Sequence, residues 1–332
     1  LICGAGGFIG GHLASNFLKE DNVELICADI KPYEYWFQNF DNAENCSLDL
    51  KEFENALSVT KGVDYIFNFA CNMGGMGFIE NNKAECMLSV LVNTNLLRAA
   101  IINKCKKFFF SSSACVYNSS KQNKTFVDGL KEKDAYPADP EDGYGWEKLF
   151  SERMCRHFSE DFGLETRVVR YHNIYGPVGT FDGGREKAPA ALCRKIIYAK
   201  KNNEKIIDVW GDGEQTRSFL YIDDCIKGTL DVFNSDKQDV FNIGSEEQVS
   251  INEMIKIIEE IADYPVKKNY QLDKPKGVRG RSSDNTFVTK TIGWKPNLTL
   301  KQGLSKTYSW IEKTINSNSN IEKFCKRNID KQ

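Results

Sequence analysis

The chain has 332 residues, with 44 Lys and Arg against 46 Asp and Glu and a formal net charge of −2. That length suits one large or two modest domains, and the balanced charge argues against a nucleic-acid partner or an anionic membrane surface. Three histidines, and eleven cysteines with no C-x-x-C pair, give no metal-site pattern; the thiols read as reduced, mostly buried and cytoplasmic, and no run approaches the length of a membrane span.

In chain order, Leu1-Ile2-Cys3 reads as the end of a buried strand, so a few residues are expected before Leu1. Gly4-Ala5-Gly6-Gly7-Phe8-Ile9-Gly10 then turns that strand into a helix over 8–20, whose apolar positions Ile9, Leu13, Phe17 and Leu18 have helical spacing. Gly4 permits the tight turn, Gly7 lets a pyrophosphate approach the backbone, and Gly10 lets helix and strand pack closely. The phosphates would meet the free N–H groups of the helix start, where Phe8 and Ile9 stand. The next apolar run, 23–28, ends in Asp29. A carboxylate there suits the ribose hydroxyls of NAD and repels the 2′-phosphate of NADP, with Lys31 pulling weakly the other way.

Further strands are expected at 64–69, 107–112, 165–170 and 239–243. Helices are expected at 51–60, 80–103, 143–162, 187–202, 222–234, 251–263 and 299–315. This alternation predicts an α/β fold, a Rossmann-type doubly wound parallel sheet with a smaller mixed α/β C-terminal substrate domain. Residues 1–172 would form the NAD-binding domain, with 214–247 returning to it. Residues 173–213 and 248–315 would form the substrate domain. A tail, 316–332, opens on the low-complexity run Asn316-Ser317-Asn318-Ser319-Asn320 and is expected to lie beyond the ordered fold. The polar segment 118–142, with Pro137 and Pro140, reads as a loop over the active-site edge.

The chemistry begins with Tyr144 and Lys148, one helical turn apart and therefore on one face. The other side of that helix carries Phe150, Met154 and Phe158 and is expected to face the core. A phenol near pKa 10 is a poor base, and a neighbouring ammonium lowers it. Tyr144 would then take a hydroxyl proton while a hydride leaves the same carbon for NAD. Ser111-Ser112-Ser113 follows a buried strand, where open α/β sheets gather ligands, and Ser113 would bind the same oxygen.

The glycine turn, the serine run and Tyr-x-x-x-Lys together resemble the extended short-chain dehydrogenase/reductase family. Arg170-Tyr171-His172-Asn173-Ile174-Tyr175-Gly176-Pro177 and Arg217-Ser218-Phe219-Leu220-Tyr221-Ile222-Asp223-Asp224 resemble its approach to a sugar-nucleotide site. Met73-Gly74-Gly75-Met76-Gly77-Phe78, Ser113-Ala114-Cys115-Val116-Tyr117 and Gly183-Gly184-Arg185-Glu186-Lys187-Ala188-Pro189-Ala190-Ala191 narrow the likeness to its GDP-mannose 3,5-epimerases. The resemblance runs from Gly4 to about Trp310. It implies transient oxidation of the hexose at C4 through Tyr144, with Cys115 as base and Lys187 as acid for inversion at C3 and C5. A thiol becomes a usable base when a cation such as Lys187 is close. It also implies that Asp49 contacts the adenine. Gly74, Ser113, Ala114, Asn173, Glu186, Ala188, Lys195, Gln215, Arg217 and Arg281 would line the sugar diphosphate. The likeness further implies a homodimer built on the helices near 80–103 and 143–162.

Two departures stand out. Ser89 occupies a position where the family often has asparagine, and the helix near 81–84 is one residue short. A 4,6-dehydratase or 4-epimerase on a related GDP-sugar such as a GDP-heptose is the alternative enzyme. A dehydratase would carry an acid beside the serine run, where this chain has Ala114 and Cys115. A redox-sensing NAD-binding protein without catalysis would have a broken Tyr–Lys pair, and this pair is intact.

Overall fold

A computed structural model describes residues 1–275, 277–317 and 321–325. Its main sheet has seven parallel strands. They are β1 (Ile2–Cys3), β2 (Ile26–Asp29), β3 (Glu44–Ser47), β4 (Tyr65–Asn68), β5 (Lys107–Ser113), β6 (Glu165–Tyr171) and Val240–Ile243. The spatial order is Val240–Ile243, β6, β5, β4, β1, β2, β3. The order therefore reverses between β4 and β1, and ligands of such sheets bind outside the C-terminal ends of the strands at that point.

Strand β5 shows why the sheet is buried on both sides. Successive side chains point to opposite faces, so Phe109 joins one core with Phe67, Val169 and Phe241, while Phe108 and Phe110 join the other with Ile66 and Val168. Helix α1 (Phe8–Phe17) covers the first face. The second is covered by α2 (Phe53–Val59), α5 (Ser89–Ile102) and α6 (Asp142–Phe162). The expected strands all form. β3 was not anticipated, because Glu44-Asn45-Cys46-Ser47 is a polar edge strand without an apolar run.

The expected single helix over 80–103 is corrected. The chain forms α3 (Met76–Asn81), α4 (Lys83–Met87) and α5 in succession, broken at Asn82, whose backbone leaves the helical region at φ −134° and ψ 44°. The stretch Lys83–Ile102 is also long and apolar enough to cross a membrane, with mean hydropathy 1.3, contrary to the sequence expectation. Half of that window is buried inside the protein, against α2 and α6, as in a core helix.

Beyond residue 172 the chain builds smaller layers. Thr216–Ser218 lies between Gln248–Ser250 and Gly280–Arg281, and Ile206–Trp210 pairs with Lys267–Gln271. Helix α7 (Ala188–Lys201) packs with Ile251–Ala262 and Leu300–Ser317. Ile251–Ala262 starts with a capping box. Ser250 Oγ accepts from the Glu253 N–H at 3.1 Å, and the Glu253 carboxylate accepts from the Ser250 N–H at 2.7 Å. Within 214–247, the strand Val240–Ile243 joins the main sheet and the helix Ile222–Asn234 packs against it and β6, whereas Thr216–Ser218 belongs to a separate sheet.

The expected tail is partly ordered. Leu300–Ser317 runs on past residue 316, and Glu322–Cys325 forms a further helical turn. Phe324 is buried against Phe37, Phe181 and Trp310 at ring distances of 5.4, 6.1 and 5.0 Å. An aromatic after a polar run found a hydrophobic seat that the composition did not signal. Residues 318–320 and 326–332 of that expected tail lie outside the described residues.

Candidate active site

The glycine turn leads from β1 into α1 at the order reversal. Gly4 has φ +82°, and a Cβ on Gly10 would stand 2.3 Å from the Gly4 carbonyl oxygen. The turn thus requires glycine at both positions. Gly7 is the extended N-cap of α1 without a side-chain cap, and the first turn carries no acid. The N–H groups there, from Phe8 and Ile9 onward, are those an anion would meet. Asp29 ends β2, buried, with its Oδ1 accepting from the Lys31 N–H at 3.0 Å. Lys31 itself donates to the Gly6 carbonyl at 2.9 Å and lies over the Phe37 ring, so its ammonium serves the turn. Asp49 follows β3, accepts from the Lys51 N–H at 2.9 Å and pairs with the Lys51 ammonium at 3.6 Å. A glycine cradle, bare helix N-terminus and strand-end carboxylate fit NAD.

Tyr144 and Lys148 sit buried on the first turns of α6. The ends of the neighbouring elements converge there because glycines allow it. A Cβ on Gly145 would come within 2.4 Å of the Cys115 carbonyl oxygen, and one on Gly143 within 2.5 Å of the Lys83 oxygen. Lys148 Nζ is 4.7 Å from the Phe110 ring centre, 5.7 Å from that of Tyr144 and 3.7 Å from Glu147 Oε2.

The expected lowering of the Tyr144 phenol is not what this arrangement produces. Burial pushes it well above its ordinary value, Cys71, Cys115 and Glu147 add to that, and a hydrogen bond with Ser113 opposes them. Burial also works against the Lys148 charge, but Cys71 and Glu147 outweigh it and hold the ammonium above its usual range. Lys148 is thus engaged first with Glu147 and Cys71. Neither residue was singled out in the sequence, although Cys71 stands just past a predicted strand, where ligands gather.

Ser113 ends β5 and its Oγ accepts from the Cys115 N–H at 3.2 Å. Ala114 and Cys115 form the following tight turn, with Ala114 buried. Burial raises the Cys115 thiol, Arg281 lowers it and Glu141 raises it further. The cation at the sulfur is Arg281, whose Nη1 donates to Sγ at 3.6 Å. Arg281 thereby joins Lys187, the expected cation, whose amine is also held up by the Cys115 thiol. Lys187 immediately precedes α7, with Ala188 as its first residue. Burial lowers the Lys187 amine, the Cys115 and Cys71 thiols pull it back up, and Arg281 lowers it further. An amine so placed gives and takes protons more readily than an exposed lysine.

The two stretches that flank this cluster touch. Gly75 N donates to Arg185 O at 3.0 Å, a Cβ on Gly75 would stand 2.6 Å from Glu186 O, and Arg185 donates to Asn72 and Met73. Gly74 is buried beside Phe78. Ser89 takes a structural part, its Oγ accepting from the Asn72 N–H at 2.9 Å. Asn173, at φ +46°, donates to Ser218 O at 2.9 Å. Gln215 donates to Trp210 O at 3.0 Å, while its buried Oε1 has no partner among the described residues. That orphan acceptor suits a ligand donor.

Arg217 and Arg281 are directly paired on adjacent parallel strands. Burial and the Arg281 charge push Arg217 down to about 10. Two adjacent guanidiniums suit a diphosphate, but Arg281 also serves Cys115. Lys195 and Glu186 keep different company. Lys195 donates to Asp208 O at 2.7 Å, with Arg194, Asp208 and Glu186 as its charged neighbours. Glu186 accepts from the Gly184 N–H at 2.7 Å and pairs with Arg194. Behind the site, Arg170 binds both oxygens of Glu152 at 2.9 and 2.7 Å, and Glu152 accepts from Ser112.

Comparison with known proteins agrees with this geometry. Residues 1–244 match the NAD dependent epimerase/dehydratase family. The chain is 48% identical over 315 residues to GDP-mannose 3,5-epimerase 1 of Oryza sativa subsp. japonica, covering 95% of this chain and 82% of that protein. It is 46% identical over the same shares to GDP-mannose 3,5-epimerase of Arabidopsis thaliana. Among solved structures, UDP-glucuronic acid 4-epimerase from Bacillus cereus, in complex with UDP-glucuronic acid and NAD, superposes with a TM-score of 0.77 at 25% identity, covering 94% of this chain and 98% of that one. A glycine turn, a Tyr–Lys pair and a serine run at one sheet edge, matched along most of the chain, lead to one conclusion: the protein belongs to the NAD dependent epimerase/dehydratase family.

Proposed function

We propose that the protein epimerises GDP-mannose at C3 and C5. The carrying observation is that the Cys115 thiol packs against Tyr144, with the Lys187 amine near enough for the thiol to act on its charge. Identity of 48% to a GDP-mannose 3,5-epimerase supports the choice of sugar. NAD, held by the glycine turn, the N–H groups at the start of α1 and Asp29, would supply a reversible hydride acceptor for C4 of the hexose.

The remaining work falls to the chain. Tyr144 takes the C4 hydroxyl proton and later returns it, with Ser113 hydrogen-bonding the same oxygen. A C4 ketone acidifies the hydrogens on both neighbouring carbons. Cys115 removes one such proton as a thiolate. Lys187 returns a proton from its ammonium, and return on the other face of the ring inverts the centre. Arg217 meets the diphosphate and Gln215 Oε1 accepts from the ligand. Asp29 holds the ribose and Asp49 the adenine.

The exposed apolar side chains Met87, Leu91, Trp146 and Phe150 support a homodimer. Phe150 is 57% exposed, although its spacing in the sequence placed it in the core. A large aromatic left in water on a family dimer helix suits burial by a second copy. Free thiols throughout, most of them buried, support a reducing, cytoplasmic setting.

The decisive experiment incubates the protein with GDP-mannose in deuterated water. Deuterium should appear at C3 and C5 in the unchanged protein and be absent with Tyr144→Phe. Cys115→Ala should retain C4 oxidation without exchange. Exchange by Cys115→Ala near the parent's rate would refute the assignment of the base, and a monomer by light scattering would refute the dimer.

A further inference from the structure

Residue Glu141 lies immediately before α6, three positions ahead of Tyr144, and nothing about its surroundings in the sequence marks it. In the fold it meets Arg281, which sits on the strand Gly280–Arg281 across the site. The Arg281 side chain is 4% exposed and that of Glu141 12%. All three guanidinium nitrogens are occupied. Nε donates to Gln122 Oε1 at 2.5 Å, Nη2 to Glu141 Oε2 at 2.5 Å, and Nη1 to Cys115 Sγ at 3.6 Å. The charge that would favour a thiolate is therefore already shared with a partly buried carboxylate.

We propose that Glu141 is a positioning residue for Cys115: by holding the Arg281 guanidinium, it sets how readily the thiol gives up its proton. This rests on the reading of Cys115 as the base. The charged and titratable groups coupled to the sulfur are Arg281 and Arg217 from the paired strands, Lys187 from the head of α7, and Glu141 and Tyr144 from the start of α6. Burial works against the Glu141 charge, but Arg281 and Arg217 overcome it and hold the carboxyl below its ordinary value. Glu141 is thus an anion near the thiol, linked to it through the Arg281 guanidinium that both contact. On Cys115, Arg281 and Glu141 act with opposite signs.

Two consequences follow from that opposition. The thiol is kept protonated, which protects a half-buried sulfur from oxidation, since the thiolate is the reactive form. A thiolate formed against this opposition is a stronger base, because basicity rises with pKa. Glu141 thereby exchanges ease of ionisation for strength as a base.

The test is the pH dependence of Cys115 alkylation by iodoacetamide in the full chain, read on the Cys115 peptide by mass spectrometry. Cys115→Ser identifies the signal. Glu141→Gln keeps the shape and an amide oxygen but removes the charge. Its inflection should fall by about one pH unit or more, as expected for losing an anion at that range. Well below the inflection a one-unit fall gives about tenfold more thiolate, trimmed to about threefold in rate because the weaker base is a weaker nucleophile.

Arg281→Gln should move the inflection upward, and Glu141→Asp, which retains the charge, should hold it near the parent's. The profile of deuterium exchange at C3 and C5 should shift in the same directions. An unmoved or raised inflection in Glu141→Gln would overturn the proposal, as would equal falls in Glu141→Gln and Glu141→Asp. Either result leaves the epimerase reading standing. Conversely, parent-like exchange by Cys115→Ala would sink the base and leave the alkylation shift intact.

Discussion

Gly145→Ala tests whether the approach of α6 to the Cys115 turn is as close as the structure has it. In an ordinary helix interior this change would gain about 1 kcal/mol from helix propensity. Here the new Cβ would stand 2.4 Å from the Cys115 carbonyl oxygen and 3.0 Å from Pro140 Cβ, where ordinary contact begins at 3.4 Å. The obstacle is backbone, and that oxygen also accepts from the Glu141 N–H at 3.1 Å, so it cannot withdraw freely. Relief therefore requires a shift of about 1 Å between α6 and the turn. Overpacking of this kind costs about 2–3 kcal/mol, leaving a net loss of about 1–2 kcal/mol after the propensity gain. The same shift separates Tyr144 from Cys115, and misplacement by about 1 Å reduces rates about a hundredfold. Urea unfolding should show a lower midpoint at unchanged slope, and deuterium exchange at C3 and C5 should fall steeply. A variant more stable than the parent that exchanges at the parent's rate would refute the reasoning.

Other substitutions probe other parts of the site. Asp29→Ala should weaken NAD binding by calorimetric titration and narrow its preference over NADP; equal affinity for both in the unchanged protein would contradict the role given to Asp29. Glu152→Ala leaves Arg170 buried without its bidentate partner and should cost about 3–5 kcal/mol in chemical denaturation; a loss within 1 kcal/mol of zero would show that the pair relaxes into water. The pH dependence of exchange follows from two opposed displacements. Burial raises the Cys115 thiol, so the thiolate gains population only as pH rises, and burial lowers the Lys187 amine, so the ammonium is lost sooner. Exchange through both groups should rise with pH, peak above neutrality and fall again over a narrow window. A flat profile from pH 6 to 8 would count against this pair.

Much of the cofactor half was legible because its signals are local. Gly4, Gly7 and Gly10 sit between a strand and a helix, and Asp29 closes the next apolar run. Each reading needed only neighbours in sequence. The break at Asn82 and the exposure of Phe150 were not legible, because an apolar helical pattern does not say whether its outer face meets this chain or another. Phe324 likewise found its place only through Phe37, Phe181 and Trp310, residues from three separate parts of the chain.

The sequence by itself determined the strand–turn–helix cradle, the parallel sense of the strands and the Tyr144–Lys148 pair. Those depend on spacing and on the conformations that glycine and alternating apolar residues permit. Only the tertiary structure decided which charges act on the catalytic groups. Lys148 turns to Glu147 and Cys71, Arg281 joins Lys187 as a cation near Cys115, and Glu141 holds the Arg281 guanidinium in check. Electrostatic coupling depends on distance and burial. Residues 115, 141 and 281 become neighbours only when the strand Gly280–Arg281, the start of α6 and the turn after β5 are packed together.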